Sequence, residues 1–271
     1  MGASAWLRLS RALFCLLLLS ACGEPIATPE PVYLRIVGST AMAPLVAELA
    51  TAFHETAPTI HVEVIGLGTS SGLRSLRGGK ANAAMASWLF PEAAGWRTIA
   101  IARDGVAVIV HPENSVEELG FLQLRDLFAG RVTEWAIVGG QPGLGEVQPV
   151  SREEGSGTRA AFETLVMDGE RVTPAAIVAP SSQAVIEYVA GHRAAIGYVS
   201  VGYVSPAVKA LRIEGEWPTS ETITQGRYPL SYELWLVTAE PPSAPIQSFL
   251  NFALSPAGQQ IVGQRYGRLG D

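Results

Sequence analysis

Cysteine is nearly absent from this chain: there are two in 271 residues, Cys15 and Cys22. Both lie close to the N-terminus, so the body of the protein has no thiol pair for a disulfide and no thiolate metal site. Its cohesion has to come from packing. Histidine is also scarce, with four scattered residues, and there is neither an HExxH pattern nor a cluster of carboxylates at ligand spacing. No metal centre and no other cofactor is therefore expected. Charged residues make up only 16% of the chain and sum to −6, which argues against nucleic acid as a partner. Long apolar runs are missing as well, and residues 13–19 are far too few to cross a bilayer as a permanent helix. No repeat at solenoid period and no low-complexity block follows residue 31.

That short apolar run does have a purpose. Arg8 and Arg11 precede it, and Leu19-Ser20-Ala21 follows it directly before Cys22, the layout of an export signal ending in a lipobox. Residues 1–21 are thus expected to be removed, leaving Cys22 as an acylated N-terminus and residues 22–31, polar and Pro-rich, as a linker. Several acyl chains anchor a protein lastingly where one does not. The chain is expected to be exported and held by lipid alone, at the outer face of the cell membrane or in the periplasm. About 250 residues remain, enough for one large domain or two intimate lobes with a substantial core. Without Arg8 and Arg11 the charge stands near −8. An acidic protein of this kind can hold an anion only by concentrating positive potential locally, at backbone amides and one or two arginines.

From residue 32 onward, short β-rich runs alternate with amphipathic helical stretches, the pattern of an α/β fold with mostly parallel strands. Strands are expected at residues 32–37, 61–65, 81–86, 98–110, 147–150, 195–201 and 234–237. Helical spacing is seen in Leu45, Val46, Leu49 and Phe53, in Leu73 and Leu76, across residues 122–128, in Ala161, Phe162, Leu165 and Val166, across residues 183–189, and in Ile246, Phe249, Leu250 and Leu254. The chain is expected to cross between lobes near residues 110 and 232. Residues 32–110 plus 233–271 would form one lobe, and residues 111–232 the other.

Three strand-to-helix turns share one chemistry: Gly38-Ser39-Thr40-Ala41, Gly68-Thr69-Ser70-Ser71-Gly72 and Gly155-Ser156-Gly157-Thr158. Glycine lets backbone approach a ligand closely, hydroxyls donate hydrogen bonds, and the unpaired amides of a first helical turn carry partial positive charge. Any one such turn is adequately explained as a helix cap. Three at the strand ends of one open sheet point to a shared anion cradle. Arg152, just before the third turn, adds a planar fork of donors suited to an oxyanion.

These residues belong to stretches through which the chain resembles the periplasmic phosphate-binding proteins of ABC uptake systems, in their short bacterial form. The stretches are VGSTAMAPL at 37–45, GLGTSSGLRSL at 66–76, ANAAMAS at 81–87, RDGVAVIVHP at 103–112, LRDLFAGRVTEW at 124–135, SREEGSGTRAAF at 151–162, AAIGYV at 194–199 and SPAGQQIV at 255–262. The resemblance implies a type II periplasmic-binding fold, monomeric and without catalysis, whose two lobes close on dehydrated phosphate and deliver it to ABC permease subunits. It assigns ligand contacts to Thr40 and the Ala41 amide, to Thr69, and to Arg152, Ser156, Gly157 and Thr158, with Ser39, Ser70, Asn82, Trp88 and Glu153 at the rim. Thr69 replaces a common serine and keeps its hydroxyl.

Two departures bear on selectivity. The family usually has Asp where Asn82 stands, and Asp or Arg where Trp88 stands. A carboxylate at the latter position accepts the proton of monohydrogen phosphate, and an indole cannot accept a hydrogen bond. Selectivity for phosphate then rests on another acceptor, Glu153, Asn82 or a main-chain carbonyl, or it is relaxed; Trp88 is equally readable as a packing residue at the cleft rim. Two other functions fit parts of the sequence. Residues 68–72 match a GxSxG nucleophile elbow, with His111 and His192 downstream as bases for a serine hydrolase. A sensor or adhesive lipoprotein with a weakened anion pocket would keep the same fold.

Overall fold

The computed structural model describes residues 30–270, so the expected export signal at residues 1–21, Cys22 and residues 22–29 of the expected linker lie outside the described residues. From Val32 onward the chain forms one compact unit. Its elements run β1 (Val32–Gly38), α1 (Ala43–Thr56), β2 (Ile60–Gly66), α2 (Thr69–Arg77), β3 (Ala83–Ala86), β4 (Arg97–Val110) and β5 (Glu118–Leu119). Then come α3 (Phe121–Ala129), β6 (Gln148–Arg152), α4 (Gly157–Phe162), β7 (Ile177–Ala179), α5 (Ser182–Gly191) and β8 (Ala195–Ser200). The chain ends with β9 (Lys209–Ala210), β10 (Arg212–Ile213), α6 (Ser220–Thr224), β11 (Ser231–Thr238), α7 (Ala244–Leu254) and α8 (Pro256–Val262).

The main sheet has the order β2-β1-β3-β11-β4-β8-β6-β7, with β9 beside β4. Its flanks are parallel, as βαβ crossovers require: β1 pairs with β2 and β3, and β6 with β7 and β8. The two central strands run against their neighbours. β11 is antiparallel to β3 and β4, and β4 is antiparallel to β8. β4 serves both flanks, because residues up to Gly105 pair with β11 while Val106 to Val110 pair with β8. Strand order and helix placement are those of a type II periplasmic-binding fold.

Apolar periodicity dictates the helices. Leu45, Val46, Leu49 and Phe53 line the buried face of α1, which opens on a proline where a missing N–H costs nothing. β4 and β8 are buried on both faces over Val106–Val110 and Ala195–Ser200, which explains their unbroken apolar character. Two expectations need adjustment. β3 begins at Ala83 rather than residue 81; Asn82 meets β1 through its amide, which donates to the Arg35 carbonyl (2.8 Å), while its side-chain oxygen accepts from the Arg35 amide (2.7 Å). The closing helix is two helices, since Ser255 caps a second one that starts at Pro256.

Candidate anion-binding site

All three polar corners stand at the C-terminal ends of parallel strands: residues 39–41 after β1, 67–71 after β2 and 153–158 after β6. The end of β3, Ser87-Trp88, joins them. Sheet order sets β1, β2 and β3 side by side, so the first two corners and Ser87 are neighbours. Ser39 and Ser87 share a 2.9 Å hydrogen bond, and the Ser87 amide donates to Thr69 Oγ1 (3.3 Å).

The third corner comes from the far flank and meets this group directly. A Cβ placed on Gly157 would lie 2.4 Å from Ser87 Oγ, 2.7 Å from Thr69 Oγ1 and 2.9 Å from the Trp88 amide. Only glycine permits that approach. Gly155 takes a left-handed backbone (φ 83°), and its carbonyl accepts from the Ser70 amide (3.3 Å). Where the second and third corners face each other, a cleft of about 570 Å³ opens, lined by Gly68, Ser70, Ser71, Glu153 and Gly155 among others.

Arg152 is the charged centre. It is 1% exposed, a burial that an unpaired guanidinium does not tolerate. Its Nη1 donates to Ser182 Oγ (3.1 Å) and its Nη2 to Thr40 Oγ1 (3.2 Å) across the two flanks. Nε and Nη2 also hold the Glu153 carboxylate in a fork, both at 2.8 Å. Glu153 is thus the counter-ion of Arg152.

The hydroxyls are ordered as well. Thr40 Oγ1 accepts from Arg152, Thr69 Oγ1 from the Ser87 amide and Ser156 Oγ from the Arg159 amide. A hydroxyl that accepts from the protein still has its own proton to give, and for Thr69 the Ser87 hydroxyl lies 3.5 Å away as one taker. Among the described residues, the amides of Thr40, Ala41, Thr69, Gly157 and Thr158 donate to no backbone carbonyl, as expected for first-turn positions. Donors from four segments therefore converge on one place.

Asn82 is not among them. It stands at the opposite end of β3 from Ser87, so the rim role expected for it does not fit its position. Trp88 contributes its amide near Gly157, while its indole packs on the core and lines a separate apolar groove with Leu89, Leu165, Tyr232 and Trp235. Ser87 and Ser182 belong to the cluster although sequence reading missed them. Ser87 had a signal, the serine directly at a strand end beside Trp88; Ser182 had none beyond its place at a helix start.

The nucleophile-elbow pattern folds as the second corner. Among the described residues no histidine bonds Ser70. His111 Nδ1 accepts from the Glu113 amide (3.1 Å), and His192 stacks on Tyr188 with its Nδ1 against the Tyr188 carbonyl (2.7 Å). No group of three or more metal-ligating side chains occurs among the described residues.

An α/β sheet with donor-rich corners converging at its strand ends is the build of a periplasmic-type solute-binding protein. The model of the PBP superfamily domain matches residues 25–257. The phosphate-binding protein PstS of Bacillus subtilis is 32% identical over 217 residues, 78% of this chain and 70% of its own. A phosphate ABC transporter substrate-binding protein from Clostridium perfringens, solved with bound phosphate, superposes with a TM-score of 0.83 at 33% identity, covering 88% of this chain and 99% of that one. An ABC-type phosphate transport receptor from Vibrio cholerae gives 0.71 at 30% identity, covering 87% and 100%. The chain belongs to the PBP superfamily and, within it, to the PstS-like family of phosphate-binding proteins.

Proposed function

We propose that this chain is the solute-binding lipoprotein of an ABC importer, capturing inorganic phosphate or a closely related tetrahedral oxyanion and handing it to permease subunits. The carrying observation is Arg152, fully buried where three glycine-hydroxyl corners meet and hydrogen-bonded to Thr40 across the sheet. The proposed contacts are the hydroxyls of Thr40, Thr69 and Ser156, the amides of Ala41, Gly157 and Thr158, and the Arg152 fork, with Ser39, Ser70 and Glu153 at the rim. Hydrogen bonds to a charged group contribute about 1.5 to 3 kcal/mol each, enough in number here for micromolar binding or better after ordering costs.

Capture proceeds between two lobes, residues 32–110 plus 233–271 and residues 111–232, that close by bending β4 and β11. No bond in the ligand is made or broken. Export through residues 1–21 and acylation of Cys22 keep the protein beside its permease, which it meets as a monomer. Isothermal titration with phosphate, arsenate, sulfate and molybdate is the test. Phosphate and arsenate should bind most tightly, and tighter binding of sulfate would overturn the choice of ligand while leaving the site in place.

A further inference from the structure

Pro44 leaves the first corner with an unfilled acceptor. α1 opens at Ala43, and the carbonyl of Thr40 stands four residues before Pro44, which has no N–H to return to it. Among the described residues no other backbone amide donates to that carbonyl. A side chain takes the place: the Tyr203 phenol donates to it at 2.7 Å. Thr40 is also the residue whose hydroxyl accepts from Arg152 (3.2 Å), so the corner is held through both of these oxygens.

Tyr203 ends a short 3-10 turn, Val201–Tyr203, that follows β8 directly. In the lobe division proposed above it belongs to residues 111–232 and Thr40 to the other lobe, so the bond crosses the cleft. It does so beside open space rather than inside packed core. A cavity of about 660 Å³ lies there, lined by Pro44 and Gln264 from one lobe and by Gln183, Ile186 and Tyr203 from the other. The same corner has a second phenol that differs in one respect. Tyr266 donates to the neighbouring Ala41 carbonyl (3.1 Å), but it comes from residues 233–271, in the lobe of Thr40 itself. The turn fits against Tyr266 because Gly202 has no side chain; a Cβ there would stand 2.1 Å from the phenol oxygen.

We propose that Tyr203 is the clasp of the closed form: carried by one lobe, it takes the orphaned Thr40 carbonyl of the other and so sets how slowly the captured anion leaves. The inference rests on the proposed capture of phosphate between two lobes. When the lobes part, the phenol leaves with its own lobe and water takes the carbonyl, so the clasp contributes only the modest net free energy of one neutral hydrogen bond. That is enough to change a dissociation rate severalfold. The clasp touches no ligand atom and forms after capture, so it acts on escape and not on entry. Tyr203 is a positioning residue.

The test compares the two phenols in the full chain. Release of radiolabelled phosphate into excess unlabelled phosphate gives koff, calorimetry gives Kd, and the association rate follows from both. Tyr203→Phe keeps the ring and removes only the hydrogen bond; it should raise koff by about three- to tenfold and Kd by the same factor, with association unchanged. Tyr266→Phe removes a bond of the same kind within one lobe, so it should lower Tm while koff stays within about twofold of wild type. Thermal melting confirms that each variant folds. An unchanged koff in folded Tyr203→Phe, an affinity loss that lies in association, or an equal acceleration in Tyr266→Phe overturns the clasp while the phosphate function stands. A wild-type chain that binds no phosphate overturns the function and the clasp with it.

Discussion

Arg152 and Asp104 are both deeply buried charged residues, and they are stabilised differently. Arg152 has Glu153, Thr40 and Ser182 as partners, so removing its side chain leaves Glu153 without a counter-ion and the ligand without its charge complement. Arg152→Ala should weaken phosphate binding at least about tenfold by calorimetry, and unchanged affinity would remove Arg152 from the site. Asp104 has donors but no cation among its hydrogen-bond partners. Its pKa is raised in the folded chain from 3.8 to about 6, so its ionisation costs the fold stability. The stability it contributes is complete below about pH 3.8 and is lost as pH rises through about 6, an effect of order 3 kcal/mol. Relative to Asp104→Asn, the wild-type chain should therefore lose stability across that window and then run parallel to it. Chemical denaturation of both proteins over pH isolates this from the other carboxylates, and a constant difference would refute it.

Elements were read from the sequence with different success. Helix α1 and strands β1, β2, β4 and β8 stand close to their expected spans, because apolar periodicity and burial agree there. The helix after the third corner was expected to run through Leu165 and Val166; it is α-helical only to Phe162 and continues as a π-turn over Glu163–Met167. Strands β5, β7, β9 and β10 went unpredicted, since pieces of two or three residues exist only by virtue of the partner beside them. The corner at Gly157 shows how an element's position becomes function. α4 can start beside Ser87 and Thr69 only because position 157 has no Cβ. In Gly157→Ala the third corner has to retreat from the second, so phosphate affinity should fall about tenfold or more. Retained affinity would mean that the two corners do not share a ligand.

For the molecule as a whole, a ligand held between both flanks of the sheet stabilises the native state by mass action. At a concentration a hundredfold above Kd the gain is about 2.7 kcal/mol, which for a chain of this size is roughly 5 to 10 °C in Tm. Phosphate should produce that shift in the wild-type chain and much less in Arg152→Ala; equal shifts would point to binding elsewhere. Such long-range consequences separate the legible from the illegible. Local chemistry was written in order along the chain: glycines with hydroxyls after apolar strands, and an arginine before the third turn. Periodicity and turn chemistry act over a few residues, so these features needed no fold to be recognised. Which groups meet was decided by sheet order, which interleaves distant segments and sets Thr40 against Arg152, 112 positions away. The same order left Asn82 at the far end of its strand, drew Ser87 and Ser182 in, and buried Asp104 behind Tyr232. What a buried polar group can do depends on every neighbour at once, and only tertiary packing assembles those neighbours.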